Sequence, residues 1–189
     1  MTIHAVDMNR AEEESIMSRR KNRAAHEIPI AYPDEQRALF LSPKGNLSIY
    51  PSWHRKGIQA KTGNFPSMVA KKYFLDIGFK VIVAPKIVWR IKPWDEGDER
   101  RTIDEFFGSD MVEKVRLGAK KLRLRGGDPD LFVYRDSGPS DYLRFFVEVK
   151  MPPDRTRASQ RAVFQLYERY LAPVHVACVQ SFSRWIGRS

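Results

Sequence analysis

The sequence predicts a mixed α/β layer fold in which a central sheet is flanked by helices. Three observations lead there. Short apolar runs rich in Val, Ile, Phe and Tyr occur at 79–84, 130–135, 143–150 and 174–180, the composition of strands. Stretches with apolar residues at helical spacing lie between them, at 67–77, 102–121 and 157–171. Gly, Pro, Ser and Asp clusters punctuate the joints. Helix, strands, hairpin, helix, strand is an order that builds a sheet with helices packed on its faces.

Residues 1–31 are polar and charge-segregated, with Glu12-Glu13-Glu14 followed by Arg19-Arg20-Lys21 and Arg23. They are expected to form a charged N-terminal arm, and 32–189 the folded domain. Pro33, Pro43, Gly45, Pro51, Gly57, Gly63 and Pro66 mark 32–66 as loops, with short strands around Ala38–Leu41 and Leu47–Tyr50. Trp53-His54-Arg55-Lys56 is basic and aromatic, suited to stacking on bases or to packing on the core. A helix over 67–77 ends at Gly78, a favoured C-cap residue. Strands at Phe79–Ala84 and Ile87–Ile91 bracket Pro85. Asp95-Glu96-Gly97-Asp98-Glu99 reads as a solvated acidic turn, because its spacing fits no cation cage. Residues 102–121 read as one helix with Phe106, Phe107, Met111, Val115 and Leu117 as its apolar contacts.

The densest information lies in 127–160. Gly127-Asp128-Pro129-Asp130-Leu131 opens a strand, Asp136-Ser137-Gly138-Pro139-Ser140-Asp141 makes a turn, and Phe145-Phe146-Val147-Glu148-Val149-Lys150 returns. A hairpin pairs the two runs antiparallel, which brings Asp130 opposite the end of the second strand. Side chains two residues apart in a strand share a face, so Glu148 and Lys150 lie together and Val149 points into the other layer. Charges inside apolar strands are costly unless compensated. Two carboxylates, with the backbone carbonyl of Val149, are hard oxygen ligands suited to Mg²⁺ or Mn²⁺. Such an ion activates water and offsets charge on a phosphate, and Lys150 adds a fixed cation beside it. The alternative is an exposed Glu–Lys pair on a surface hairpin, worth little.

The helix at 157–171, ended by Pro173, carries the stripe Val163, Leu166, Tyr167, Tyr170 and Leu171. Gln160 extends that stripe toward the sheet, where a polar side chain needs partners. Those partners are either the reacting centre or a loop backbone. Cys178, in the apolar strand 174–180, reads as a small core residue. Phe182, Trp185 and Ile186 form a tail that packs back or makes a dimer contact.

The chain has 189 residues, 42% hydrophobic, and a formal net charge of +10, which favours a polyanionic partner over a small neutral one. Lys120, Lys121, Arg123 and Arg125, preceded by Lys114 and Arg116, crowd one side of the Gly127 motif, and Arg155, Arg157 and Arg161 flank the other. A basic rim around an acidic centre suits phosphate-backbone binding, the alternative being a solvated helix face. The single cysteine excludes an internal disulfide. The four histidines show no zinc spacing, and no phosphate-cradling Gly-rich motif occurs, so no nucleotide cofactor is expected. With no apolar membrane-spanning stretch and no signal-peptide pattern, no membrane partner is expected, and a cytoplasmic location is.

Gly127, Pro129, Asp130 and Leu131, then Glu148-Val149-Lys150, then Pro152, Pro153 and Asp154, then Gln160 resemble the PD-(D/E)xK nuclease superfamily, most closely its VRR-NUC branch. The agreement covers roughly 127–179. The resemblance implies a restriction-endonuclease-like core, with Asp130 and Glu148 holding the metal, Lys150 acting at the scissile phosphate and Gln160 positioning water or backbone. It also implies an acid on the first core helix. The helix at 67–77 has no Glu at its start, and Asp76 lies at its far end. Glu27 and Glu35 are substitutes that no spacing singles out.

The expected activity is Mg²⁺- or Mn²⁺-dependent hydrolysis of DNA phosphodiesters. By resemblance it leaves a 5′-phosphate and a 3′-hydroxyl and selects branched, flap or junction DNA, with a homodimer possible. Two other readings stay open: a non-catalytic DNA-binding module, and a nuclease-like subunit of a defence or mobile-element system.

Overall fold

The computed structural model describes residues 27–41, 65–88, 98–135 and 144–186. Five strands, β1 (Glu27–Tyr32), β2 (Lys80–Val83), β3 (Leu131–Tyr134), β4 (Arg144–Lys150) and β5 (Val174–Ser181), form one sheet in the order β1-β5-β4-β3-β2. The β1–β5 and β5–β4 pairs are parallel, and β4–β3 and β3–β2 are antiparallel. Helices flank this mixed sheet, as a restriction-endonuclease-like core requires.

Alternation along the strands sends side chains to two separate cores. One face packs Leu131, Val133, Val147, Val149, Ala177 and Val179 against α2 (Phe65–Asp76) and Phe40 of α1 (Asp34–Leu41). The other packs Ile82, Phe132, Phe146 and Val174 against α3 (Asp98–Phe107), α4 (Ser109–Lys121) and α5 (Ala158–Tyr170). A short α6 (Phe182–Ile186) follows β5 and leans on α1, with the Ser183 hydroxyl donating to Asp34 Oδ1 at 2.7 Å.

The pairing of β3 with β4, its register and the helix after it match expectation. Five other assignments do not. Ala38–Leu41 is the end of α1, not a strand. Its four-residue apolar run is too short to carry a period, and the Asp34-Glu35 start supplies a helix N-terminus. The helix expected over 102–121 is two helices, broken at Gly108, whose φ of 78° a helix cannot accommodate. Residues 27–31, assigned to the arm by charge, form most of β1 against β5. Ile87 and Val88 are not a strand: Ala84 and Lys86 turn the chain through φ of 52° and 34°, and Ile87 drops into the core. The remainder of 87–91, the expected strand at 47–50, Trp53-His54-Arg55-Lys56, the expected turn at 136–141 and residues 95–97 of the expected acidic turn lie outside the described residues, as does most of the arm. Asp98 and Glu99, the end of that acidic turn, instead open α3. Phe182, Trp185 and Ile186 are all exposed. No helix among the described residues is long and apolar enough to cross a membrane.

Candidate metal centre

Leu131 pairs with Val147, so the next step down the hairpin sets Asp130 across from Glu148. β4 then runs beyond β3 toward its own C-terminal end. Its α5-facing side reads Phe146, Glu148, Lys150, passing from core to charge in two steps. Glu148 is 3% exposed and is the buried polar residue among the described residues.

A compact network surrounds it. Glu148 Oε1 takes a salt bridge from Lys150 Nζ at 2.6 Å and a hydrogen bond from Gln160 Nε2 at 2.6 Å. Lys150 Nζ also donates to Gln160 Oε1 at 3.3 Å. That same oxygen accepts the Arg157 backbone N–H at 3.0 Å, which caps the start of α5. Gln160 thus joins the helix terminus to the buried carboxylate. Asp130 Oδ2 accepts the Val149 N–H at 2.8 Å. In an extended strand the N–H and C=O of one residue emerge on the same edge, so the Val149 carbonyl leaves β4 on the Asp130 side.

The electrostatics are unbalanced. Burial, with the Asp130 carboxylate second, pushes Glu148 up to about 7, against the opposing pull of Lys150 and Gln160. Burial also raises Asp130, opposed by the Val149 hydrogen bond and Lys150. Glu148 Oε2 is buried with no hydrogen-bond partner. An unpartnered carboxylate oxygen in such a place is costly unless a cation meets it. A hard divalent ion fits this donor set: Asp130, Glu148 through Oε2, and the Val149 carbonyl.

The acid expected from the first core helix is not found. Asp76 is bonded to Lys72 Nζ at 2.7 Å on the exposed side of α2, across the sheet from Glu148. Glu35 is exposed on α1. Glu27 comes nearer: it and Glu148 both pair with Val176, which puts them in one cross-strand row on one face. Two strand spacings, about 9–10 Å, separate their backbones. Among the described residues no group of three or more His, Cys, Asp or Glu side chains is placed to hold a metal.

Glycines explain how the basic clusters meet. A Cβ on Gly118 would lie 2.8 Å from Leu166 Cδ2, and one on Gly127 would lie 3.2 Å from Gln160 Cα. Residues 118–127 therefore run antiparallel along α5, from Leu166 back to its first turn. Lys120, Lys121, Arg123 and Arg125 ride on that segment, and Arg155, Arg157 and Arg161 surround the start of α5. All seven are exposed. Arg161 Nη1 donates to the Thr156 carbonyl at 2.6 Å. Arg116, further up α4, is paired with Glu113 at 2.6 Å and Lys114 is exposed.

Asp128 is a residue that sequence reasoning passed over. Its Oδ1 accepts the Val88 N–H at 2.7 Å and the Tyr167 hydroxyl at 2.6 Å. Set between Gly and Pro it reads as turn chemistry. The available signal was Tyr167 on the inner stripe of α5, because a buried tyrosine hydroxyl requires a partner.

No family model matches the sequence, and no curated protein matches it. Among solved structures, a crystal structure described as paFAN1 bound to 2nt 5′ flap DNA with gap is similar, at 16% identity and a TM-score of 0.39. The match covers 86% of this chain and 39% of that one. A likeness of that degree carries no chemistry across, and the assignment of the centre rests on its own geometry.

Proposed function

We propose that this protein is a Mg²⁺- or Mn²⁺-dependent nuclease that hydrolyses DNA phosphodiester bonds. The observation that carries the reading is Glu148 itself: a buried carboxylate facing Asp130, with one oxygen saturated by Lys150 and Gln160 and the other unpartnered. A divalent ion at the second oxygen would account for that asymmetry.

Asp130 and Glu148, with the Val149 carbonyl, would hold the ion. When bound, a divalent ion lowers the pKa of a water and offsets the charge that builds on a phosphate. Lys150 supplies a fixed ammonium beside the carboxylates, where it neutralises charge on a non-bridging phosphate oxygen. Gln160 keeps Glu148 and Lys150 in place through both ends of its amide. The exposed basic track along α5 grips the sugar–phosphate backbone without reading bases. Selection by DNA shape, as in branched, flap or junction substrates, follows from that mode of contact. The expected products carry a 5′-phosphate and a 3′-hydroxyl.

A second reading draws on the acid that is lacking among the described residues: a nucleic-acid-binding module that keeps the fold without cutting. One experiment separates the two. A panel of linear, flap and junction DNAs is incubated with the protein in Mg²⁺, in Mn²⁺ and in EDTA. Metal-dependent products from wild type, lost in Glu148→Ala while DNA binding persists, support the nuclease. Wild-type binding without cutting in either metal establishes the module, and cutting of RNA alone overturns the DNA assignment.

A further inference from the structure

We infer that Asp128 is a positioning residue for the candidate centre, a clamp through which α5 and the turn after β2 set where Asp130 stands relative to Glu148. The inference rests on the metal-centre reading above.

Five contacts immobilise residues 127–130, and they come from three directions. Gly127 lies against Ser159, Gln160 and Val163, where a Cβ would meet atoms 3.2 to 3.4 Å away, at a φ of 103°. Asp128 Oδ1 is bonded at once to Tyr167 of α5 and to the Val88 amide. The Ala84 N–H donates to the Asp130 carbonyl at 2.7 Å. On the β4 side, the Asp130 carboxylate meets the Val149 N–H. Pro129, buried between the two aspartates, fixes the remaining backbone rotation.

The turn that provides two of these contacts is strained. Ala84 and Lys86 are both non-glycine residues in the left-handed region. Such conformations persist where surrounding bonds hold them, and they concentrate at working sites. Here the bonds that hold the turn are those to Asp128 and to Asp130.

α5 is the common reference. Gln160 and Tyr167 are seven residues apart, two helical turns, and so project from the same face. Gln160 fixes Glu148, while Tyr167, through Asp128, fixes Asp130. Tyr167 is fully buried, and burial together with the Asp128 charge pushes its hydroxyl well above its ordinary range, so it stays a donor. One rigid element therefore holds both carboxylates, Glu148 directly through Gln160 and Asp130 by way of Asp128.

The test uses the full chain and reads Mn²⁺ affinity by paramagnetic resonance titration, beside thermal unfolding. Tyr167→Phe and Asp128→Ala should each weaken Mn²⁺ binding by about 10-fold or more, the usual effect of removing a group that orients a ligand. Asp128→Asn, whose amide oxygen still accepts both bonds, should restore most of the affinity. Phe74→Leu, on the opposite face of the sheet, should lower the melting temperature and leave Mn²⁺ affinity unchanged. If Asp128→Ala fails to fold, Tyr167→Phe decides. Wild-type affinity in Tyr167→Phe, or a loss no greater than that of an equally destabilised Phe74→Leu, overturns the clamp and leaves the metal centre standing. Wild-type protein that binds no Mn²⁺ beyond the level of Glu148→Ala overturns the centre and the clamp together.

Discussion

The two faces of β4 are built from one heptapeptide and do opposite things. On the α2 side Val147 and Val149 continue the core to the end of the strand. On the α5 side Phe146 gives way to Glu148 and then Lys150. Both faces are shielded, so exposure does not explain the charges. The α2 face minimises free energy with close-packed apolar groups. The α5 face forgoes that stabilisation at the point where β3 ends and Asp130 enters. A strand that is well packed on one side and electrostatically frustrated on the other supports the proposal that the second side is the working one.

Substitution should separate the faces cleanly. Lys150→Met is expected to reduce the cleavage rate constant by about 10²–10³-fold, the usual effect of losing one fixed donor at a developing charge. Phe74→Ala, buried under the α2 face, should cost about 3–5 kcal/mol in urea unfolding and leave turnover per folded molecule unaltered. Equal effects of both changes on turnover would erase the distinction.

Acidity sharpens the contrast. Glu148 is raised from an ordinary 4.5 to about 7, so the folded state holds a proton that the unfolded chain has released. The stability associated with that proton is present below the lower value and is lost as pH rises through the higher one. Without divalent ions, Glu148→Gln should therefore gain on wild type between about pH 5 and pH 8, by on the order of 3 kcal/mol. Urea titrations in EDTA at the two pH values measure it. Mn²⁺ affinity should rise over the same interval, because the ion displaces the proton.

Gly127→Ala probes the joint between the faces and the basic track. A φ of 103° and a contact of 3.2 Å to Gln160 Cα both oppose a side chain there. A loss of about 1–3 kcal/mol is expected, together with slower cleavage as Gln160 is displaced. The smallest effect belongs to the rim. Arg125→Ala and Arg157→Ala should each lessen the salt dependence of DNA binding, by about one unit of slope. Fluorescence anisotropy across a salt series reads it, with turnover at saturating DNA unchanged.

Much of the centre was legible because it is local in sequence. Asp130, Glu148, Lys150 and Gln160 fall within one hairpin and the first turn of the next helix, and strand alternation alone puts Glu148 beside Lys150. What escaped is long-range. The role of Asp128 depends on Tyr167 and Val88, 39 and 40 residues away. The two-helix form of 102–121 depends on one glycine adopting a positive φ, and no apolar periodicity reports that. Ala38–Leu41 was decided by the helix start before it, and 27–31 by pairing with a strand from the far end of the fold. The acid missing from α2 was itself visible in the sequence, and the described residues offer Glu27 in the right row but too distant to join Asp130 and Glu148.

The pairing of β1 with β5 has a consequence for biosynthesis. These strands are the first and last of the sheet, and the Asp34–Ser183 contact beside them spans 149 positions. On the ribosome Ile28, Ile30 and Tyr32 are made early, yet their hydrogen-bonding neighbour emerges only after the rest of the sheet. Their docking is then the slow, non-local closure of the domain. Until β5 is made, these residues have no partner strand in the sheet.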